Sequence, residues 1–263
     1  MISLVLFYFS LFLLGIAIGL FGTLIGAGGG FILMPILLFV FPKETPDTLT
    51  SISLTVTFIN ALSGTIAYSR MKRINYRNGL IFSAAAVPGA IVGAYLTQFI
   101  SREVFSLIFS FILIAVSIFI FFYGKVEEHT SKSHKIKLSS SKLITGIIFS
   151  LFIGLASSFL GIGGGIIHVP VLANILMFSV HAATATSHFI LAITSFAGLA
   201  VHVFTGKFQY GIRRASAISL GALIGAQIGA KLSTRVHGKI IIRILAVALF
   251  FVGIRLIILY FFK

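Results

Sequence analysis

Gly22-Thr-Leu-Ile-Gly-Ala-Gly-Gly-Gly-Phe-Ile-Leu-Met-Pro-Ile-Leu37, set over Ser157-Ser-Phe-Leu-Gly-Ile-Gly-Gly-Gly-Ile-Ile-His-Val-Pro-Val-Leu172 at an offset of 135, agrees at seven of sixteen positions. Each stretch carries a glycine cluster, Gly26, Gly28, Gly29 and Gly30 in one and Gly161, Gly163, Gly164 and Gly165 in the other. A proline follows five residues after the last glycine, at Pro35 and Pro170. The likeness continues outward: Gly64 and Tyr76 pair with Gly198 and Tyr210 at offset 134, and Gly89 and Gly93 with Gly221 and Gly225 at offset 132. Duplication explains a nearly constant offset better than chance does. In transporters, paired glycine-interrupted short segments at corresponding places are the best sequence pointer to the binding site.

Around these stretches the chain is apolar almost throughout. Of 263 residues 58% are hydrophobic and 10% charged, against roughly 25% charged in an average soluble domain. Ten apolar stretches can be marked: 2–25, 31–41, 48–68, 79–99, 104–123, 143–160, 166–179, 183–204, 212–230 and 240–262. Most reach the roughly 17–25 residues that a helix needs to cross a hydrocarbon core, but 31–41 and 166–179 do not. Irregular backbone at membrane depth is tolerated where protein or a cavity surrounds it, so those two read as half-helices or re-entrant pieces. The first run lacks the basic flank and the short core of a signal peptide and reads as a retained span. The expectation is an all-α, polytopic membrane protein of two homologous halves, 1–123 and 143–263, joined by a polar cytoplasmic linker, 124–142. It has about eight full spans and two short segments, and the cell membrane is its expected location.

The formal charge of +15 would point to nucleic acid in a soluble protein. Here most Lys and Arg sit in connectors, where cytoplasmic loops collect them and anionic lipids attract them, so the expected partners are the bilayer and a solute. Absence of cysteine removes disulfides and thiolate metal sites, and no cofactor or metal is expected. Arg243 and Arg255 read as snorkelling anchors, and Tyr68, Tyr76, Tyr123, Tyr210 and Tyr260 as an interfacial belt. If each glycine-broken pair makes one crossing, the repeats are parallel, and Arg70–Arg77, the linker and Lys207–Arg214 share the cytoplasm while Lys231–Lys239 does not. If each pair is a hairpin, the repeats are inverted and Lys207–Arg214 moves outside. The balance leans slightly to the parallel case.

Glycine permits positive φ and leaves N–H groups unpaired where a helix begins. Such ends carry partial positive charge and bind anions, so Gly26–Gly30 and Gly161–Gly165 are candidate substrate-binding segments. The competing role is helix packing through small residues. No dinucleotide fingerprint fits, since Phe31 and Ile166 stand where glycine is required. Each third segment opens with hydroxyls: Thr48, Thr50, Ser51, Ser53, Thr55 and Thr57 in the first half, Thr184, Thr186 and Ser187 in the second. Thr50, Ser51, Ser53, Thr184, Thr186 and Ser187 are candidate donors to an oxyanion, with bonding back to their own helix as the other reading. Asn60 reads as glue between helices. The five acids, Glu44, Asp47, Glu103, Glu127 and Glu128, fall in connectors or at segment ends. That disfavours a cation pathway or a proton relay on carboxylates. His168 and His188 flank the two motifs and are candidate substrate or proton partners. His202 lies later in the helix of His188, and the first-half counterparts of the three are Leu33, Leu54 and Tyr68. No nucleophile, base and carboxylate set occurs within the spans, which argues against an enzyme.

The doubled glycine cluster and proline, followed by Thr50–Leu54 and Thr184–His188, resembles the TauE/SafE family of sulfite exporters over nearly the whole chain. The resemblance implies two four-helix halves acting on small sulfur-containing anions such as sulfite, thiosulfate and sulfonates. His188 departs from it, standing where the family usually has an apolar residue. Residues and resemblance together predict a secondary transporter of a small oxyanion, with an anion channel using the same site as the alternative.

Overall fold

The computed structural model describes residues 2–123, 138–234, 250, 251 and 253–258. Residues 124–137 of the 124–142 linker, with Lys125 and Lys132, the anchor Arg243 and the belt residue Tyr260 lie outside them. Among the described residues the elements are α1 (Ile2–Ile25), α2 (Gly30–Val40), α3 (Pro46–Arg70), α4 (Tyr76–Leu96), α5 (Arg102–Tyr123), α6 (Ser140–Leu160), α7 (Gly165–Pro170), α8 (Val180–Phe204) and α9 (Ile212–Leu232), with no strand. α4 runs on into a 3-10 turn, and α7 into a π-helical turn, Val171–Ile175. Among the described residues six helices, α1, α3, α4, α6, α8 and α9, are long and apolar enough to cross a membrane, against the expected eight or so.

Local chemistry sets the ends. α3 opens with Pro46 in its first turn and Asp47 beside it, a proline without an N–H to waste and a carboxylate at the positive end of the dipole. α4 and α8 begin at Asn75 and Ser179, whose side chains accept from the amides of Asn78 and Ala182. α1 stops because Gly26, Gly28 and Gly29 take φ of 87°, 77° and 78°, a region in which the Cβ of an L-residue is strained.

After that break the chain turns back. Gly29 lies against Gly22 and Ile18, and the rings of Phe7 and Phe41 meet at 6.5 Å, so α2 returns along α1 to the face where α1 began. The second half does the same, with Gly164 against Ile153 and Ser157 and Leu176 against Gly146 near the start of α6. These are hairpins. α3 and α8 pack antiparallel: His202, near the end of α8, meets Thr50 near the start of α3; the Phe58 and Phe196 rings meet at 5.3 Å; and His188 meets Gly64. The lean toward parallel repeats is therefore corrected, because corresponding helices run in opposite directions. Loop charge misled it, since Lys207–Arg214 is basic yet lies on the face of α3's start.

Small residues bring the outer helices in. A Cβ on Gly15, Gly221 or Gly225 would strike backbone of the partner in the parallel pair α1 and α9, and one on Gly89, Gly93 or Gly154 would do so in the parallel pair α4 and α6. Close backbone approach maximises dispersion where lipid supplies no hydrophobic drive between helices. Large apolar side chains such as Leu4, Phe9, Phe152, Phe196 and Leu220 point outward, while hydroxyls and amides are gathered inside. That inversion suits a protein whose solvent is hydrocarbon.

Two arginines tie the face at α3's start together. Arg102 donates to the carbonyls of Leu38, Phe41 and Glu44 at 2.7, 3.1 and 2.6 Å, capping the otherwise unpaired end of α2. Arg214, at the start of α9, reaches Glu44 at 2.6 Å and lies over the Phe41 ring. Arg255 sits 4.9 Å over the Phe39 ring.

Candidate functional site

The site is built from four broken or crossing elements. α2 and α7 each begin inside the molecule with a glycine, Gly30 and Gly165, preceded by glycines in the left-handed region, Gly29 and Gly164 with φ of 78° and 75°. The two loops press on one another. A Cβ on Gly30 would stand 2.8 Å from the carbonyl oxygen of Gly161, and one on Gly165 would stand 2.5 Å from that of Gly26. Gly28 and Gly163 both abut Thr57 and Leu191, near the middle of the 25-residue helices α3 and α8. Both breaks therefore lie deep between the two faces.

Hydrogen bonds repeat this reciprocity. Ser53 donates to the carbonyl of Gly161 at 2.5 Å and Ser187 to that of Gly26 at 3.1 Å. Each loop satisfies part of its own backbone, with the Ala27 and Gly28 amides on Gly22 and those of Ile162 and Gly163 on Ser157. The amides of Gly29, Gly30 and Phe31, and of Gly164, Gly165 and Ile166, find no acceptor among the described residues. Six N–H groups from two helix starts thus remain with partial positive charge in a water-poor interior.

The predicted residues divide into those brought to the loops and those turned away. Ser53, Ser187 and Thr184 touch them, Thr184 through its methyl against Gly26. Thr50 lies against Gly161 but spends its hydroxyl on Pro46 and Asp47 of its own helix, with His202 Nε2 at 3.3 Å. Ser51 bonds back to Thr48. Thr186 accepts from the Asn75 amide at the α3–α4 turn. His188 is buried with Nε2 3.3 Å from Thr23 Oγ1, and His168 is buried in α7 with no hydrogen-bond partner for either ring nitrogen among the described residues.

The sequence reading gives Asn60 as glue between helices, Tyr68 as part of an interfacial belt, Thr57 as one of a hydroxyl run and Asp47 as an acid at a segment end, and it passes over Thr23. Thr23 donates to Asn60 Oδ1 at 2.9 Å, and Tyr68 donates to the Thr23 carbonyl at 2.8 Å. Thr57 is wedged between the loops, and Asp47 is buried beside His202 at α3's first turn. The signal for Thr57 and Asn60 was their spacing of one helical turn on the face that continues from Ser53. For Thr23 and Asp47 none was available, because their neighbours come from distant helices.

Comparison with known proteins fits this architecture. The family model described as Sulfite exporter TauE/SafE matches residues 11–256. The chain is 31% identical to the probable membrane transporter protein YunE of Bacillus subtilis, over 94% of this chain and 96% of that one. It is 30% identical to a probable membrane transporter protein of Methanocaldococcus jannaschii, over 88% and 86%, and 26% identical to one of Haemophilus influenzae, over 82% and 79%. No solved structure matches. With the family model covering nearly all of the chain and apolar helices crossing around two buried breaks, this protein belongs to the sulfite exporter TauE/SafE family, as a multi-pass membrane transporter.

Proposed function

We propose that the solute is a small sulfur-containing oxyanion, such as sulfite, thiosulfate or an organosulfonate, taken up between the two glycine breaks. The observation that carries this reading is the pair of facing helix starts with six unpaired amides and neutral neighbours, Ser53, Thr57, Asn60, Thr184 and Ser187. Amides at a helix start favour an anion and repel a cation, and they do so without the desolvation cost of a buried Lys or Arg. Hydroxyl and amide donors suit the diverging oxygens of a sulfur oxyanion.

The halves, 1–123 and 143–263, act as inverted repeats, with about eight full spans in all around the two short segments. Because a single methyl at Gly30 or Gly165 would already collide with the opposing loop, the solute enters only when the loops part. That favours a carrier with alternating access over a standing pore. The face holding Arg70, Lys72, Arg73, Arg77 and Lys231 is cytoplasmic by the positive-inside rule. On the opposite face Lys43, Arg102, Lys207, Arg213 and Arg214 are partly offset by Glu44, Asp47 and Glu103. The expected location is the cell membrane, with anionic lipid at the basic face and no nucleic acid.

Purified protein in liposomes loaded with radiolabelled sulfite, thiosulfate or a sulfonate tests the substrate. Flux of at least one above protein-free vesicles is the expected result; flux of none of them overturns it.

A further inference from the structure

The two loops are alike in backbone but not in what surrounds them. Beside the first loop stand two polar side chains with no exposure, Thr57 and Asn60. Neither the Thr57 hydroxyl nor the Asn60 Nδ2 has a hydrogen-bond partner among the described residues. Thr57 Oγ1 lies 2.5 Å from where a Cβ on Gly30 would stand, and Asn60 Nδ2 lies 3.5 Å from the corresponding point on Gly29. They are one turn apart on α3, so both face the start of α2, an eleven-residue helix. Their counterparts at offset 134 are Leu191 and Thr194. Leu191 has nothing to donate, and Thr194 is satisfied by the carbonyls of Ile190 and Leu191 in its own helix.

An amide and a hydroxyl left bare in a dry interior are costly, and such orphans in a folded protein call for a ligand or another cause. Their orientation is also held. Thr23 gives its hydroxyl hydrogen to Asn60 Oδ1, so His188 Nε2 is the donor in its contact with Thr23 Oγ1. The chain His188, Thr23, Asn60 pins the acceptor end of the amide away from the loop and turns its NH2 toward Gly29. His188 is therefore a positioning residue, acting through Thr23.

We propose that the anion is seated on the first loop alone, by the amides of Gly29, Gly30 and Phe31 together with the Thr57 hydroxyl and the Asn60 amide, while the second loop closes over it. This rests on the oxyanion reading above and adds which loop binds and which side chains select. Five donors around the start of α2, with no cation among them, favour a compact, fully ionised oxyanion over a neutral or protonated one once the Gly161 carbonyl has moved aside with the second loop.

The test is equilibrium binding of radiolabelled sulfite and thiosulfate to the purified full-length protein in nanodiscs, with the melting temperature of each variant measured alongside. Thr57→Val and Asn60→Leu are expected to weaken binding about tenfold or more each, since a hydrogen bond to a charge contributes at least about 1.4 kcal/mol. Thr57→Ser keeps the hydroxyl and should bind within about threefold of the parent, and Thr194→Val, in the second half, should leave binding unchanged. Because the Thr57 hydroxyl has no protein partner, Thr57→Val should melt no lower than the parent. A merely structural threonine would lower the melting temperature and spare binding, which overturns the proposal. So does parent-like binding by both Thr57→Val and Asn60→Leu, or equal loss in Thr194→Val. If the parent binds neither probe, the oxyanion reading itself has failed and this one goes with it.

Discussion

Gly30→Ala probes the contact on which the site depends. The added methyl would lie 2.5 Å from Thr57 Oγ1, 2.8 Å from the carbonyl oxygen of Gly161 and 2.9 Å from the carbonyl carbon of Ile162, against 3.4–4 Å in ordinary contact. Two of the three obstacles are backbone of the opposing loop and cannot rotate aside, so the loops must part by several tenths of an ångström. Overpacking of this kind costs about 1–3 kcal/mol, and alanine returns up to about 1 kcal/mol through helix propensity. The net loss is about 1–2 kcal/mol, or roughly 2–8 °C in melting temperature at 2–4 °C per kcal/mol. Flux should fall about tenfold or more, because displacing the α2 start costs the anion at least one charge-assisted hydrogen bond. Gly206→Ala is the control. Its φ of 75° makes alanine strained, but nothing lies within 4 Å, so it costs about 1–2 kcal/mol in stability and spares flux. Fluorescence-detected melting in detergent and counterflow in liposomes read the two quantities. A Gly30→Ala protein with parent stability and parent flux would refute the claim that the loops touch.

Ser53→Ala and Ser187→Ala each strip a carbonyl of the opposing loop of a donor. Each should cost about 1–3 kcal/mol, with similar magnitude in both because the bonds are reciprocal; melting curves check it. Gly154→Leu should separate α4 from α6, whose backbone it meets at Ala86, and reduce the yield of folded protein on size exclusion. Glu44→Gln should change stability by less than about 1 kcal/mol, since the Glu44–Arg214 pair is 27–28% exposed on both sides and exposed pairs contribute little. The chain has no cysteine, so single Lys43→Cys and Lys72→Cys variants report sidedness directly. An impermeant maleimide should label Lys43→Cys in intact cells and Lys72→Cys only after permeabilisation, and the reverse pattern would invert the assigned orientation.

Reading the residues in order was enough for the elements and their solvent. Runs of about 20 apolar residues have no stable home but lipid, and a run of glycines favours a helix stop, so the helices, the six candidate spans among the described residues and the two breaks at 26–30 and 161–165 were legible. Composition was likewise enough to exclude a soluble core. Direction was not, because Lys207–Arg214 carries the same charge on either face, and only the antiparallel packing of α3 on α8 decided that each break is a hairpin. The donors were half legible. Ser53 and Ser187 reach the loops, where they donate to the Gly161 and Gly26 carbonyls, yet Ser51 and Thr186, from the same motifs, point elsewhere, since 100° per residue sends neighbours to different faces. Thr23, Thr57 and Asn60 acquired their roles only in three dimensions: a hydroxyl or an amide has no intrinsic preference for a ligand over a neighbour, and which it meets depends on residues as far as 165 positions away along the chain.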